Sequence, residues 1–241
     1  HACMEMARHP LQQTMTAIFD MDGTLYPGDS QLRFARRILK RHGARRLYLL
    51  LLVPAGLLRG LRLVSTETLK RVYLSLLWRM PKEELEAECA AFVKDELLPI
   101  IHPALRERLE QHRKDGDKTV LCSAAPGWWT RLLGRELQFD ISIGTPVDVE
   151  NRVALMPPIA APGNNRGANK LARLKGLAIS HADVLYTDSA ADEPLMGVCD
   201  RTVLVNPDAK LAQRHPQAEV LRTEPAARDA SSLSFACRCL L

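Results

Sequence analysis

Phe19-Asp20-Met21-Asp22-Gly23-Thr24-Leu25 is the stretch on which the reading of this chain turns. The apolar run before it, Met15 to Phe19, predicts a β-strand that carries Asp20 to the C-terminal edge of a sheet, where open α/β folds bind their ligands. Two carboxylates one residue apart then suit covalent chemistry. Asp20 can attack phosphorus, and Asp22 can protonate the leaving oxygen and later activate water. An ordinary strand ending in an Asp-Gly turn would look the same locally, because both residues are common in turns. The rest of the chain has to separate the two.

Further parts of a phosphoryl-transfer site follow in order, each at the end of a predicted strand. Lys118 to Cys122 predicts a strand that ends at Ser123. That hydroxyl, with backbone N–H groups such as that of Ala124 at the start of the next helix, offers a seat for a phosphoryl oxygen. Arg166-Gly167-Ala168-Asn169-Lys170 opens a helical segment and brings a lysine to neutralise phosphate charge. Asp183 to Thr187 predicts another strand, which delivers Asp188-Ser189-Ala190-Ala191-Asp192. Carboxylates are natural ligands for Mg²⁺, a hard cation that keeps several waters and binds substrate phosphate. Phe139 to Gly144 and Thr202 to Val205 predict a third and a fifth strand, and Val147 to Leu155 alternates as a small hairpin would. A calcium loop of EF-hand type fails on Thr24, where Asp or Asn belongs, and on Gln31 at the loop end.

From Met15 to about Asp208 the chain resembles the haloacid dehalogenase superfamily of phosphatases, on its DxDGT, strand-ending Ser, helix-opening Lys and DSxxD motifs. The resemblance implies an α/β fold, a Rossmann-like parallel sheet sandwiched by helices with an inserted helical cap domain. The catalytic core would comprise residues 14–25 and 100–222, the cap 26–99, and a weakly ordered tail 223–241. It further implies Asp20 as nucleophile, Asp22 as general acid and base, and Ser123, Ala124 and Lys170 as the phosphate-holding positions. Asp188 would ligate Mg²⁺ together with the Asp20 carboxylate and the Asp22 backbone carbonyl, and Asp192 would support the metal or the lysine. An Asp at position 22 favours phosphomonoester hydrolysis over the other reactions of the superfamily. Thr187 stands where many members have Gly, which implies an altered backbone beside the metal. The insert and Asn165-Arg166-Gly167-x-x-Lys170 look like subfamily IB, which includes phosphoserine phosphatase and phosphatidylglycerophosphatase C-like enzymes. The leucine-rich insert is more similar to the second. Tyr26-Pro27-Gly28-Asp29-Ser30 lacks the Glu usual in the first.

Composition agrees with an enzyme. The 241 residues suit one α/β domain with a smaller inserted one, and 46% hydrophobic and 25% charged residues exclude a disordered chain. Six cysteines without CxxC or His-linked metal spacing predict a reduced, cytoplasmic protein. Cys122 reads as a small core residue, and Trp128 and Trp129 as core packing at a helix start. No secretory leader is visible in His1 to Gln13, and Arg238 occupies the position where a prenylated C-terminus requires Cys.

The insert carries the chain's basic character. Leu47 to Leu58 is apolar but too short to span a bilayer. Arg33, Arg36, Arg37, Lys40, Arg41, Arg45 and Arg46 precede it, Arg59, Arg62, Lys70 and Arg71 follow, and Asp29 and Glu67 offset them. Two readings stay open: an interfacial segment that meets anionic headgroups at the inner membrane face, or a leucine-packed bundle with solvated arginines. Nucleic acid ranks last as a partner, since no aromatics are interleaved. The expected activity is Mg²⁺-dependent hydrolysis of a phosphate ester through an aspartyl-phosphate. The substrate would be a lipid phosphate or a small, phosphoserine-like metabolite. The alternative of another class is a catalytically idle module that binds a membrane surface or a partner.

Overall fold

Four residues of β-rich sequence, Thr16–Phe19 (β1), form the middle of the sheet in a computed structural model that describes residues 14–223. The expectations for the first thirteen residues and for the tail beyond Thr223 lie outside the described residues. β1 pairs in parallel with Lys118–Pro126 (β2) on one side and with Ala182–Thr187 (β4) on the other. Ile141–Thr145 (β3) extends the sheet beyond β2, and Cys199–Val205 (β5) and Glu219–Leu221 (β6) extend it beyond β4. The order β3-β2-β1-β4-β5-β6 is parallel throughout, so successive strands leave β1 in opposite directions. The crevice at the C-terminal ends of β1 and β4 is therefore a topological switch point.

Between β1 and β2 the described chain is helical, as its sequence predicts. Ser30–Arg41 (α1) starts where the Asp29 carboxylate accepts the Leu32 N–H at 3.1 Å, an N-cap that satisfies an orphan donor. Phe34, Ala35, Ile38 and Leu39 bury one face of it. A 3₁₀ turn, Gly43–Tyr48, leads into Leu49–Gly60 (α2), on which Leu50, Leu57 and Leu58 are exposed. Thr66–Leu74 (α3) is capped by the Ser65 hydroxyl, which accepts the Thr68 N–H at 3.0 Å. Lys82–Phe92 (α4) continues through a π-helical turn to Leu97, and Pro103–Lys114 (α5) leads back to the sheet. Gly127–Glu136 (α6), Ala168–Gly176 (α7), Glu193–Met196 (α8) and Ala209–Arg214 (α9) complete the helices named here.

The insert and the sheet share one hydrophobic cluster. Phe34 of α1 lies 5.2 Å, centroid to centroid, from Phe92 of α4 and 4.8 Å from Trp129 of α6. Helices α1 and α4 are thus rooted in the core, whereas α2 buries only Ala55 among its described side chains. Trp129 is core, as predicted, and Trp128 donates its indole N–H to the Val147 carbonyl at 3.1 Å. Cys122 is fully buried, and burial pushes its thiol up to about 11, which suits a packing residue.

Three local expectations need correction. The hairpin over 147–155 is not formed: Val147 bridges to Ile159, and Arg152 bridges to Pro81 of the insert. Backbone bonds from Arg79 to Val153 (2.8 Å) and from Val153 to Met80 (3.0 Å) take the hydrogen bonds that a hairpin would have made within itself. β2 does not stop at Ser123 but continues, with an irregular register against β3, to Pro126. β3 starts at Ile141, because the Asp140 carboxylate accepts the Thr119 N–H at 2.7 Å and holds the turn before it. β6, only three residues long and at the sheet edge, was not foreseen.

Candidate active site

Asp20 follows β1 directly, and its N–H donates to the Tyr186 carbonyl of β4 at 2.9 Å, which carries the pairing past the last strand residue. Asp188 follows the neighbouring β4, Ser123 lies in β2, and Lys170 is in the first turn of α7. The fold thus brings the predicted residues to one cavity of about 1110 Å³, lined among others by Asp20, Asp22, Ser123, Lys170, Asp188 and Asp192. Ala124 also lines it, from the bulged end of a strand rather than from the start of a helix.

Lys170 is the hub of the site. Its ammonium donates to the Asp20 carboxylate at 2.7 Å and to the Asp192 carboxylate at 2.9 Å, and it is almost fully buried. Burial pulls its pKa down, but the Asp192 and Asp20 carboxylates prevail and hold it well above the usual lysine range. Asp192 therefore supports the lysine. The Thr187 hydroxyl donates to Asp192 at 2.8 Å and accepts the Ser189 N–H at 3.1 Å, so this departure from Gly is used as a hydrogen-bonding side chain.

The carboxylates hold protons more tightly than usual. Burial first, then the neighbouring Asp192 charge, raises Asp20 to about 6 against the pull of Lys170. Burial and the charges of Asp20 and Asp192 push Asp188 up to about 8. Burial and Asp29 raise Asp22 to about 7, although three donors favour its charged form. Those donors are the Tyr26 hydroxyl at 2.7 Å, the Ser30 N–H at 2.9 Å and the Ser30 hydroxyl at 3.1 Å, and the Trp129 indole N–H in turn donates to Ser30 at 3.1 Å. An acid with a pKa near neutrality is matched to general acid and base work.

Buried carboxylates this close together, each with a raised pKa, suit a bound cation. Among the described residues no three His, Cys, Asp or Glu side chains converge on a metal-sized point. The expected donor set, two carboxylates and a main-chain carbonyl completed by water, requires only two and fits the oxygen preference of Mg²⁺. Gly23 makes room for the Asp188 carboxylate: at φ +80° it has no Cβ, and a built one would fall 2.0 Å from Asp188 Oδ2. Thr24 donates its hydroxyl to the same carboxylate at 3.3 Å.

Several side chains at the site went unnoticed in the sequence. Tyr26 and Ser30 could have been suspected, since Asp29-Ser30 before an amphipathic run marks a helix start that favours a carboxylate. Lys70, Thr145 and Asn164 could not. Lys70 comes from α3 of the insert and reaches the Ala124 carbonyl, Asn164 Oδ1 at 2.5 Å and Thr145 Oγ1 at 3.3 Å, contacts that span 54 to 94 residues of sequence.

A parallel sheet with paired aspartates at its switch point defines the class: a doubly wound α/β fold with a helical insert and a carboxylate-rich site. The family model described as haloacid dehalogenase-like hydrolase matches residues 17–197, and the chain belongs to that family. It is 25% identical over 215 residues to a phosphoserine phosphatase of Mycobacterium tuberculosis, covering 84% of this chain and 68% of that one. It is 24% identical over 222 residues to a histidinol-phosphatase of Neisseria meningitidis, covering 81% and 91%. Among solved structures, a Bordetella pertussis protein of unknown function superposes with a TM-score of 0.72 at 23% identity, covering 87% of this chain and 99% of that one. A probable phosphoserine phosphatase from Vibrio cholerae gives 0.62 at 17%, covering 93% and 66%. The chain is a hydrolase of the haloacid dehalogenase type.

Proposed function

We propose that the chain hydrolyses phosphate monoesters through an aspartyl-phosphate on Asp20, with Mg²⁺ as cofactor. The observation that carries this reading is the convergence of Asp20, Lys170, Asp188 and Asp192 at the adjacent ends of β1 and β4. An Asp20 carboxylate oxygen forms a bond to phosphorus as the ester P–O bond breaks, and protonated Asp22 gives its proton to the departing alkoxide. Asp22, now a base, takes a proton from water as the water oxygen attacks the same phosphorus. The acyl-phosphate P–O bond breaks, inorganic phosphate leaves and Asp20 is restored. Ser123 and Lys170 hold phosphoryl oxygens throughout. Asp20, Asp188 and the Asp22 carbonyl would hold Mg²⁺, which neutralises phosphoryl charge when bound. Asp20→Asn is expected to abolish turnover of a generic aryl phosphate, and turnover retained in that variant would overturn the nucleophile assignment.

For the substrate, a lipid phosphate is the reading that the cavity favours. Its lining includes Leu32, Leu52, Leu57, Leu61, Leu69 and Tyr73, apolar surface with little use for a small polar leaving group. Leu47, Leu50 and Leu63 are exposed nearby in sequence, as are Lys40, Arg46 and Arg62, which together suit contact with an anionic bilayer. The membrane-facing charge is smaller than the sequence count suggests, since Arg37 bonds Glu88 and Glu96 while Lys70 and Arg71 face the core. Among the described residues no helix is long and apolar enough to cross a membrane. The relatives' names favour the second reading, a small phosphorylated metabolite. Comparing kcat/KM for a long-chain lipid phosphate, phosphoserine and histidinol phosphate decides: a lead of either small ester over the lipid overturns the first reading.

A further inference from the structure

Lys70 is a lysine of the insert whose ammonium is buried in the core, 7% exposed, among oxygens that carry no charge. An ammonium has three N–H donors. Here there are three acceptors: the Ala124 carbonyl, Asn164 Oδ1 at 2.5 Å and Thr145 Oγ1 at 3.3 Å. The donor count argues against Lys70 as a direct reader of substrate, although it lines the cavity, because every proton it owns is already placed.

Its position explains the expense of burying it. The Ala124 carbonyl also accepts the Thr145 hydroxyl at 2.7 Å, and the N–H of the same peptide unit, that of Ala125, donates to Ser123 Oγ at 3.0 Å. The peptide plane between Ala124 and Ala125 is thus held on its carbonyl side by Lys70 and Thr145 and binds the serine on its N–H side. A Ser123 oxygen that accepts from Ala125 has its own proton left to donate toward the cavity. The rest of α3 reinforces the grip. Glu67 accepts the Asn164 N–H at 3.0 Å, Arg71 donates to the Met156 carbonyl at 2.9 Å, and the Ser75 hydroxyl just beyond the helix accepts the Met156 N–H at 3.0 Å.

We propose that Lys70 is a positioning residue for phosphoryl binding: it fixes the Ala124–Ala125 peptide and so sets the direction in which Ser123 offers its hydroxyl. This rests on the reading of Ser123 as a phosphate holder. Burial draws the Lys70 ammonium down to about 8, with the Asp22 and Asp29 carboxylates opposing and Arg166 assisting, so its charge is retained at neutral pH.

The test is a double-mutant cycle of Lys70→Met and Ser123→Ala, read as the dissociation constant for inorganic phosphate by calorimetry in the presence of Mg²⁺, with KM and kcat for an aryl phosphate alongside. Lys70→Met is expected to weaken phosphate binding about tenfold, the scale of one hydrogen bond to a charged group. In the Ser123→Ala background the same change should do less than about twofold, because the residue it acts through is gone. Additive effects would overturn the proposal, as would a Lys70→Met protein whose melting temperature falls while its phosphate affinity and KM stay as in the wild type. If Lys70→Met fails to fold, Lys70→Gln, which keeps a donor, replaces it in the cycle. Failure of both to fold would overturn the proposal in favour of a purely structural pin. Failure of the underlying reading is a separate result, in which Ser123→Ala leaves phosphate affinity unchanged.

Discussion

Gly23 shows how a single residue can carry a site without contributing a side chain. Its φ of +80° is strained for any L-residue, and the space that a Cβ would take belongs to Asp188 Oδ2, 2.0 Å away. Gly23→Ala must therefore move the carboxylate, and a displacement on the order of 1 Å in a reacting assembly costs roughly a hundredfold in rate. Steady-state turnover of an aryl phosphate checks this, with circular dichroism to show that the variant folds. Unchanged turnover would mean that Asp188 is not part of the chemistry. Thr187 makes the complementary case. Thr187→Val removes the 2.8 Å bond to Asp192 and the acceptor of the Ser189 N–H, leaving buried groups unpaired at a cost of about 1–3 kcal/mol. The expected outcome is a lower melting temperature and a fall in kcat, since Asp192 is half of the Lys170 anchorage.

At the scale of elements, the parts legible in the sequence are those whose chemistry fixes the residue type at a strand end. Asp20, Ser123 and Asp188 follow or lie in apolar β-rich runs, so periodicity and side-chain type point to the same rim. The helical insert was legible for the same reason, as repeated apolar spacing without strand signals. What was hidden depends on contacts between distant segments. The segment from Val147 to Leu155 alternates like a hairpin, but bonds to Met80 and Arg79 pull it onto the insert, and alternation alone cannot tell a chain which edge to join. Lys70 looks like one more positive charge on a basic helix until the fold points it inward. Helix α2 is the opposite case, an apolar helix that leaves Leu50, Leu57 and Leu58 exposed. Replacing Leu47, Leu50 and Leu63, which are exposed and outside the cavity, with Gln is expected to reduce flotation with anionic vesicles at least about tenfold while kcat/KM for an aryl phosphate stays unchanged. Equal flotation of the variant and the parent would remove these exposed leucines in and around α2 from any membrane role.

The molecule as a whole concentrates buried carboxylates at one edge of its sheet, and this makes its stability respond to pH and, on the proposed reading, to metal as well. Burial raises the folded-state values of Asp20, Asp22 and Asp188 to about 6, 7 and 8, above the 3.8 of a free side chain. Between pH 4 and 8 the folded, metal-free protein therefore holds protons that the unfolded chain has released. The stability these groups contribute is complete below pH 4 and is lost as pH rises through 6 to 8. His102, whose pKa burial lowers, slopes the other way, so the difference between the parent and Asp188→Asn isolates the carboxylates. On the proposed reading a divalent cation would bind their ionised forms and stabilise only the folded state, by mass action. The increment in melting temperature on adding Mg²⁺ should consequently grow from pH 5.5 to pH 8, as fewer protons compete for the oxygens, while the metal-free melting temperature falls over the same range relative to Asp188→Asn. Thermal scans at both pH values, with Mg²⁺ and with chelator, check both trends. An increment that does not change with pH would mean that Mg²⁺ binds elsewhere, and that the carboxylates at the ends of β1 and β4 balance their charge through Lys170 alone.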